Sequence, residues 1–272
     1  MKKIFCILLT VCLLLAGCVR DKTPDPTESP TAPTLAPMKT VWVRESQTSQ
    51  TQGKTSRLEL IYDGTRVTEA VFYDNEVEST RYAVECDENG NFICWTSHEE
   101  VQEYTYDAAG RLLSFNTYSG DKLTTGYTFA YDAAGNRTSL RLTIDRLNVD
   151  QRTDYLYDEA GRNTRQEVYL GGELTRYSPC ECDEAGRITA MTGYTAGGTE
   201  DLLTEYVYDG DTETQISRNI HGEIIQTVVI TRDGFGNIIR TENYSATGAL
   251  LATVTTVWRA VVVPVDCPRA SI

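Results

Sequence analysis

The sequence predicts an all-β fold, a repeat array of about eight β-hairpins joined into one curled, single-layer antiparallel sheet. Three observations predict it. One turn signature recurs: "YDAAG" at 106–110 and 131–135, "YDEAGR" at 157–162, "CDEAGR" at 182–187 and "CDENGN" at 86–91. The aspartates that mark it, Asp63, Asp87, Asp107, Asp132, Asp158, Asp183, Asp209 and Asp233, are spaced by 24, 20, 25, 26, 25, 26 and 24 residues. The segments leading into each turn alternate aromatic and polar residues, which is the period of a strand with one apolar face.

A type I turn favours Asp at its first position and Gly at its fourth. Asp-x-x-Gly meets that template in six units: Asp87 with Gly90, Asp107 with Gly110, Asp132 with Gly135, Asp158 with Gly161, Asp183 with Gly186, and Asp233 with Gly236. The carboxylate accepts from a backbone N–H two residues on, and Gly supplies the positive φ that closes the hairpin. These twelve residues are therefore read as structural. Asp63-Gly64 and Asp209-Gly210 place Gly one residue after Asp and need another turn type.

Strands flank the turn. Tyr104 and Tyr106, then Tyr127, Phe129 and Tyr131, then Tyr155 and Tyr157, then Tyr206 and Tyr208 each put aromatics on one face. Eight residues past the glycine stands Tyr118, Tyr169, Tyr194 or Tyr244, with His98 in the same slot. A second, looser turn is expected after it, in "YSGDK", "YLGGE", "YTAGG" and "YSATG". Positions two after the glycine (Phe92, Leu112, Ile188, Ile238) and five after it (Trp95, Phe115, Leu140, Met191) differ in parity. A bulge or burial on both faces is required there, and both remain open. Sixteen to eighteen strands follow from the count, too many for a flat open sheet. An outer-membrane barrel is not expected, because "RNTRQEV" and "RTENYSA" carry polar residues on both parities.

The phrase Tyr-x-Tyr-Asp-x-x-Gly-Arg followed by Leu or Ile resembles the YD repeat of the RHS family, and "YTYDAAGRL" at 104–112 is a near-ideal copy. The resemblance runs through most of residues 41–263 and implies YD-type hairpins. In large members such repeats form a spiralling shell around a C-terminal toxin, released at a motif of proline and aspartate. No such motif or toxin follows Gly236, so the toxin-shell function is not expected to carry over.

Outside the array, residues 1–17 read as a lipoprotein signal peptide, with Lys2 and Lys3 before an apolar run. Leu15-Ala16-Gly17-Cys18 resembles a bacterial lipobox, which implies lipid attachment at Cys18. Residues 18–40 form a Pro/Thr-rich tether expected to be disordered. Residues 264–272 form a C-terminal tail.

Composition limits the chemistry. Loss of Lys2 and Lys3 with the signal peptide takes the formal net charge from −14 to −16. A nucleic-acid partner, which needs Lys and Arg against phosphates, is not expected. No dedicated calcium loop, phosphate-binding loop or zinc-protease helix is present. His98 and His221 fall in turn regions, and the repeated carboxylates are accounted for by turns. Five cysteines remain beyond Cys18: Cys86, Cys94, Cys180, Cys182 and Cys267. Cys86 and Cys94 flank one tight turn, where a disulfide is plausible. Cys180 and Cys182 share a face, either as a metal or redox pair or as small core residues.

The expected function is a non-enzymatic, lipid-anchored module on the extracytoplasmic side of the cell membrane or envelope. It needs no cofactor and no metal, is monomeric, and binds carbohydrate or an envelope or protein partner. The alternative is an accessory or shielding protein of a larger RHS-type toxin or secretion system.

Overall fold

The structure, a computed structural model, describes residues 38–264, with side chains over 43–261. Cys18, the tether as far as residue 37, and Cys267 lie outside the described residues. Eighteen strands follow one another: β1 (Met38–Thr51), β2 (Lys54–Asp63), β3 (Arg66–Asp74), β4 (Val77–Cys86), β5 (Phe92–Thr96), β6 (Val101–Tyr106), β7 (Leu112–Ser119), β8 (Lys122–Tyr131), β9 (Arg137–Ile144), β10 (Val149–Tyr157), β11 (Asn163–Leu170), β12 (Glu173–Cys182), β13 (Ile188–Thr195), β14 (Glu200–Asp209), β15 (Thr212–Asn219), β16 (Ile224–Arg232), β17 (Ile238–Ser245) and β18 (Leu250–Pro264). A single turn of 3₁₀ helix, Asp145–Leu147, links β9 to β10. β1 begins at Met38, so strand reaches into the segment read as tether.

Every strand pairs antiparallel with its neighbour in sequence, and β1 pairs with β18 from Met38↔Pro264 to Thr51↔Ala252. The curled sheet therefore closes into an 18-stranded barrel. Closure removes the unpaired edges that an open sheet of this size would present.

The parity conflict resolves into bulges. Tyr106 pairs with Leu112 while Thr105 pairs with Ser114, leaving Leu113 as the extra residue. The same insertion falls at Ile93, Thr138, Thr164, Thr189 and Ile239. Each bulge brings the second and fifth residues after the glycine onto one face, so both rows are buried together. At several bulges the extra residue is Ser or Thr and its hydroxyl donates to a carbonyl of the partner strand. Thr124 donates to Thr117 O at 2.9 Å, Thr175 to Val168 O at 3.0 Å, and Ser79 to Phe72 O at 3.2 Å.

The face carrying the aromatic rows is the inner one, because nothing in a single-layer barrel could bury it from outside. On β2–β9 it forms a continuous core that includes Leu58, Leu60, Val67, Tyr82, Trp95, Tyr104, Phe115, Tyr127 and Phe129. The rings pass from strand to strand: Phe92–Trp95 centroids are 5.2 Å apart, Tyr104–Phe115 4.9 Å and Phe115–Tyr127 5.7 Å. Such pairs add about 0.5–1.5 kcal/mol each beyond their buried area. On β10–β17 the inner face is mostly half-exposed and mixed, with Tyr155, Gln166, Cys180, Met191, Tyr206 and Gln215. The outer wall is laced with ion pairs such as Arg141–Asp150 at 2.7 Å, Arg218–Glu205 at 2.7 Å and Arg240–Glu242 at 2.7 Å.

Candidate functional site

The rim of Asp turns is built from the residues the repeat specifies. Gly110 N–H donates to Asp107 O at 3.0 Å, and Asp107 N–H to Arg111 O at 2.9 Å. Gly110 has φ +75°, a region an L side chain enters only with strain. Asp107 Oδ1 accepts from the N–H groups of Ala109 and Arg111, and its Oδ2 accepts from Arg111 Nε at 2.6 Å. Asp158 with Arg162 and Asp183 with Arg187 repeat the arrangement, while a neutral Asn amide is the donor to Asp87, Asp132 and Asp233. The residue after the glycine is thus the second half of a chelate around the Asp carboxylate. The backbone N–H of that residue, then its guanidinium, holds Asp107, Asp158 and Asp183 below the usual carboxylate range.

Asp63-Gly64 and Asp209-Gly210 are indeed of another type. Asp63 pairs with Arg66 and Asp209 with Thr212 across two-residue loops, with φ +63° at Gly64 and +55° at Gly210. The turns expected to be looser are equally tight. Gly120-Asp121 and Gly171-Gly172 make two-residue loops. Thr195, Asn219 and Ser245 each head a copy of the Asp turn, with Asn219 Oδ1 accepting from His221 N–H and Glu223 N–H. A hydroxyl or amide oxygen serves there because it accepts the same backbone donors.

In four units the Tyr of "YD" ties its hairpin to the strand pair before it. Tyr131 donates to Leu112 O at 3.0 Å, Tyr157 to Arg137 O at 2.9 Å, Tyr208 to Ile188 O at 2.9 Å, and Tyr62 to Arg44 O. Where another residue fills the slot the bond persists: Cys182 Sγ reaches Asn163 O at 3.4 Å, Cys86 Sγ reaches Val67 O at 3.6 Å, and Trp258 Nε1 reaches Ile238 O at 3.0 Å. Turn arginines stack over the next unit's ring, Arg111 on Tyr131 at 4.8 Å and Arg187 on Tyr208 at 4.4 Å.

This geometry corrects the reading of Cys86 and Cys94. The bulge at Ile93 sets Cys86 opposite Phe92 and Cys94 opposite Glu85, so the two thiols lie on opposite faces and do not meet. Cys180 and Cys182 share the inner face and are free thiols bonded to Asn163, Cys180 to its Oδ1 at 3.1 Å. Burial, and then Cys182, pushes the Cys180 thiol up to about 11. No metal-binding cluster occurs among the described residues. His98 and His221 are both exposed in turns.

The surface with the most recognition chemistry is on the outer wall. Register places Tyr118, Tyr169, Tyr194 and Tyr244 outward, together with Tyr73 and Tyr177, and all six are half-buried. On β11–β13 they converge. Tyr177 and Tyr194 stack with centroids 5.2 Å apart and planes at 18°. Arg165 lies 4.2 Å over Tyr177, Arg152 lies 4.4 Å over Tyr169, and Tyr169 OH donates to Glu167 at 2.7 Å. Tyr177, Arg165 and Glu167 were not legible as a set, since they meet only through strand register.

Fold and surfaces define a class: a closed antiparallel barrel of tandem hairpins, a structural β-module. Residues 106–143 match the RHS repeat family model, so the chain carries an RHS repeat over that stretch. Among solved structures, a porin-like protein from Bacteroides uniformis is 11% identical, with 79% of this chain and 98% of that one covered at a TM-score of 0.43. The complex TcdB2-TccC3-TEV is 9% identical, with 72% of this chain and 17% of that one covered at a TM-score of 0.25. The chain thus spans under a fifth of the latter, and at these scores neither likeness carries an argument. No curated protein matches the chain.

Proposed function

We propose that this chain is a non-enzymatic binding module, held at a bacterial membrane by lipid on Cys18 and presenting its barrel to the extracytoplasmic side. The observation that carries the reading is the Arg165–Tyr177–Tyr194 stack on the outer wall, with Glu167 and Tyr169 beside it. Flat aromatic rings edged by a guanidinium and a carboxylate suit a sugar, whose ring stacks and whose hydroxyls pair with the charged groups. The charged outer wall supports an aqueous setting, because Arg or Lys on a lipid-facing barrel wall costs about 2–4 kcal/mol at mid-bilayer.

The test is binding of a soluble fragment to bacterial and host glycan arrays and to purified cell wall. It should start at or before Met38, so that β1 is complete. Saturable retention lost in Tyr194→Ala, with the fold intact by circular dichroism, supports the reading. A clean negative removes it, and an RHS toxin recovered with the full chain would point to the accessory role.

A further inference from the structure

The barrel closes at the β1/β18 seam, and the seam holds a buried cation with no counter-ion among the described residues. Arg44 stands opposite Trp258 in the register, on the inner face, and is only 3% exposed. Its Nε and Nη1 are buried and make no hydrogen bond. Its Cζ lies 5.5 Å from the centroid of the Trp258 ring. Neither aromatic neighbour hydrogen-bonds Nε or Nη1. The Trp258 N–H is committed to Ile238 O at 3.0 Å, and the Tyr62 hydroxyl donates to the carbonyl of Arg44 itself. A second guanidinium, that of the exposed Arg259, borders the same tyrosine, its Cζ 5.2 Å from the Tyr62 ring centroid. Glu45, the neighbouring carboxylate, is the exposed bulge residue and makes no ion pair with Arg44.

A guanidinium remains charged inside a protein. Burial works against that charge here, with only Tyr62 acting in its favour. Arginines on the outer wall have carboxylates within ion-pair distance, as Arg57 has Glu59 and Arg81 has Glu69 and Glu78. Buried charges are normally paired, because an unpaired one keeps its desolvation cost with nothing to offset it. The fork of N–H groups on Arg matches the oxygens of a carboxylate or phosphate.

We propose that Arg44, backed by Trp258 and neighboured by Arg259 and Tyr62, is the binding site for an oxyanion, carboxylate or phosphate, borne by a small ligand such as an acidic sugar. The site stands apart from the outer-wall tyrosines, so a failure of glycan retention there leaves this proposal intact.

The experiment is calorimetric titration of the full chain in detergent with glucuronate, inorganic phosphate and glucose. Glucuronate, phosphate or both should bind saturably while glucose gives no heat. Arg44→Met should weaken the bound anion by about tenfold or more. Binding of phosphate alone assigns a phosphorylated ligand, and binding of glucuronate alone assigns a carboxylate. Without ligand, R44M should melt at the same temperature or higher, since it removes an uncompensated charge. R44K, which keeps the charge and loses the fork, should bind more weakly than the parent and serves as the readout if R44M does not fold. No saturable heat from either anion, or a curve unchanged in the folded variants, overturns the proposal. So does a lower melting temperature in R44M with anion binding intact, which would make Arg44 a packing partner of Trp258.

Discussion

The Tyr131 hydroxyl donates to the Leu112 carbonyl at 3.0 Å, joining the end of β8 to the start of β7. The backbone ladder between these strands stops at Ser114↔Thr128, so the Leu112 carbonyl has no strand partner on that side. A phenol long enough to cross the gap satisfies it. That is the physical content of the Tyr in the repeat.

Tyr131→Phe keeps the ring, and with it the contact to Arg111, and removes only the hydroxyl bond. Urea unfolding should show a loss of about 0.5–1.5 kcal/mol, the net worth of one such bond. An unchanged midpoint would mean that solvent satisfies the Leu112 carbonyl equally well.

Acid should loosen the turn rim. Asp107, Asp158 and Asp183 have folded pKa values depressed by the N–H groups and guanidiniums of Arg111, Arg162 and Arg187. A depressed carboxylate stabilises the fold fully above its unfolded pKa of about 3.9, and that contribution is lost as pH falls through the lower folded value. Urea midpoints should therefore be level from neutral pH to about 5 and fall below about 4. Asn at all three positions should flatten that slope.

Trp95 is 2% exposed at the centre of the inner aromatic rows, touching Phe72, Tyr82, Phe92 and Tyr104. Trp95→Ala should cost about 3–5 kcal/mol by chemical denaturation. Leu156→Ala, on the outer wall of β10, should stay within about 0.5 kcal/mol.

Thiol chemistry separates the cysteines. Cys94 faces outward and Cys180 inward, with the Cys180 thiol pushed up to about 11 by burial and by Cys182. Iodoacetamide near neutral pH should leave Cys180 the slow site, because the thiolate is the reacting form. Denaturant should abolish the lag. Peptide mapping without reductant should find no bridge between Cys86 and Cys94.

By itself the sequence determined the Asp turns, the strands and the period, though not the tightness of the second turns. The Asp-x-x-Gly spacing specified type I turns because only a small acceptor at the head and a residue tolerant of positive φ at the foot close that loop. Alternating aromatics specified strands with one buried face, and the near-constant period specified a single array. Even the parity conflict between Leu112 and Phe115 announced a choice between a bulge and two-sided burial. The choice itself was tertiary: only pairing with β6 shows that Leu113 is the extra residue, and the same kind of register shift separates Cys86 from Cys94.

Closure was beyond the sequence as well. A hairpin repeat states how each strand meets the next, whereas the meeting of β1 with β18 depends on twist summed over all eighteen strands. The same holds for the groups that carry function in this reading. Arg165, Tyr177 and Tyr194 lie on three strands, and Arg44 and Trp258 lie more than two hundred residues apart. Side chains so placed leave no signature in spacing, because the register that joins them exists only once the sheet has closed.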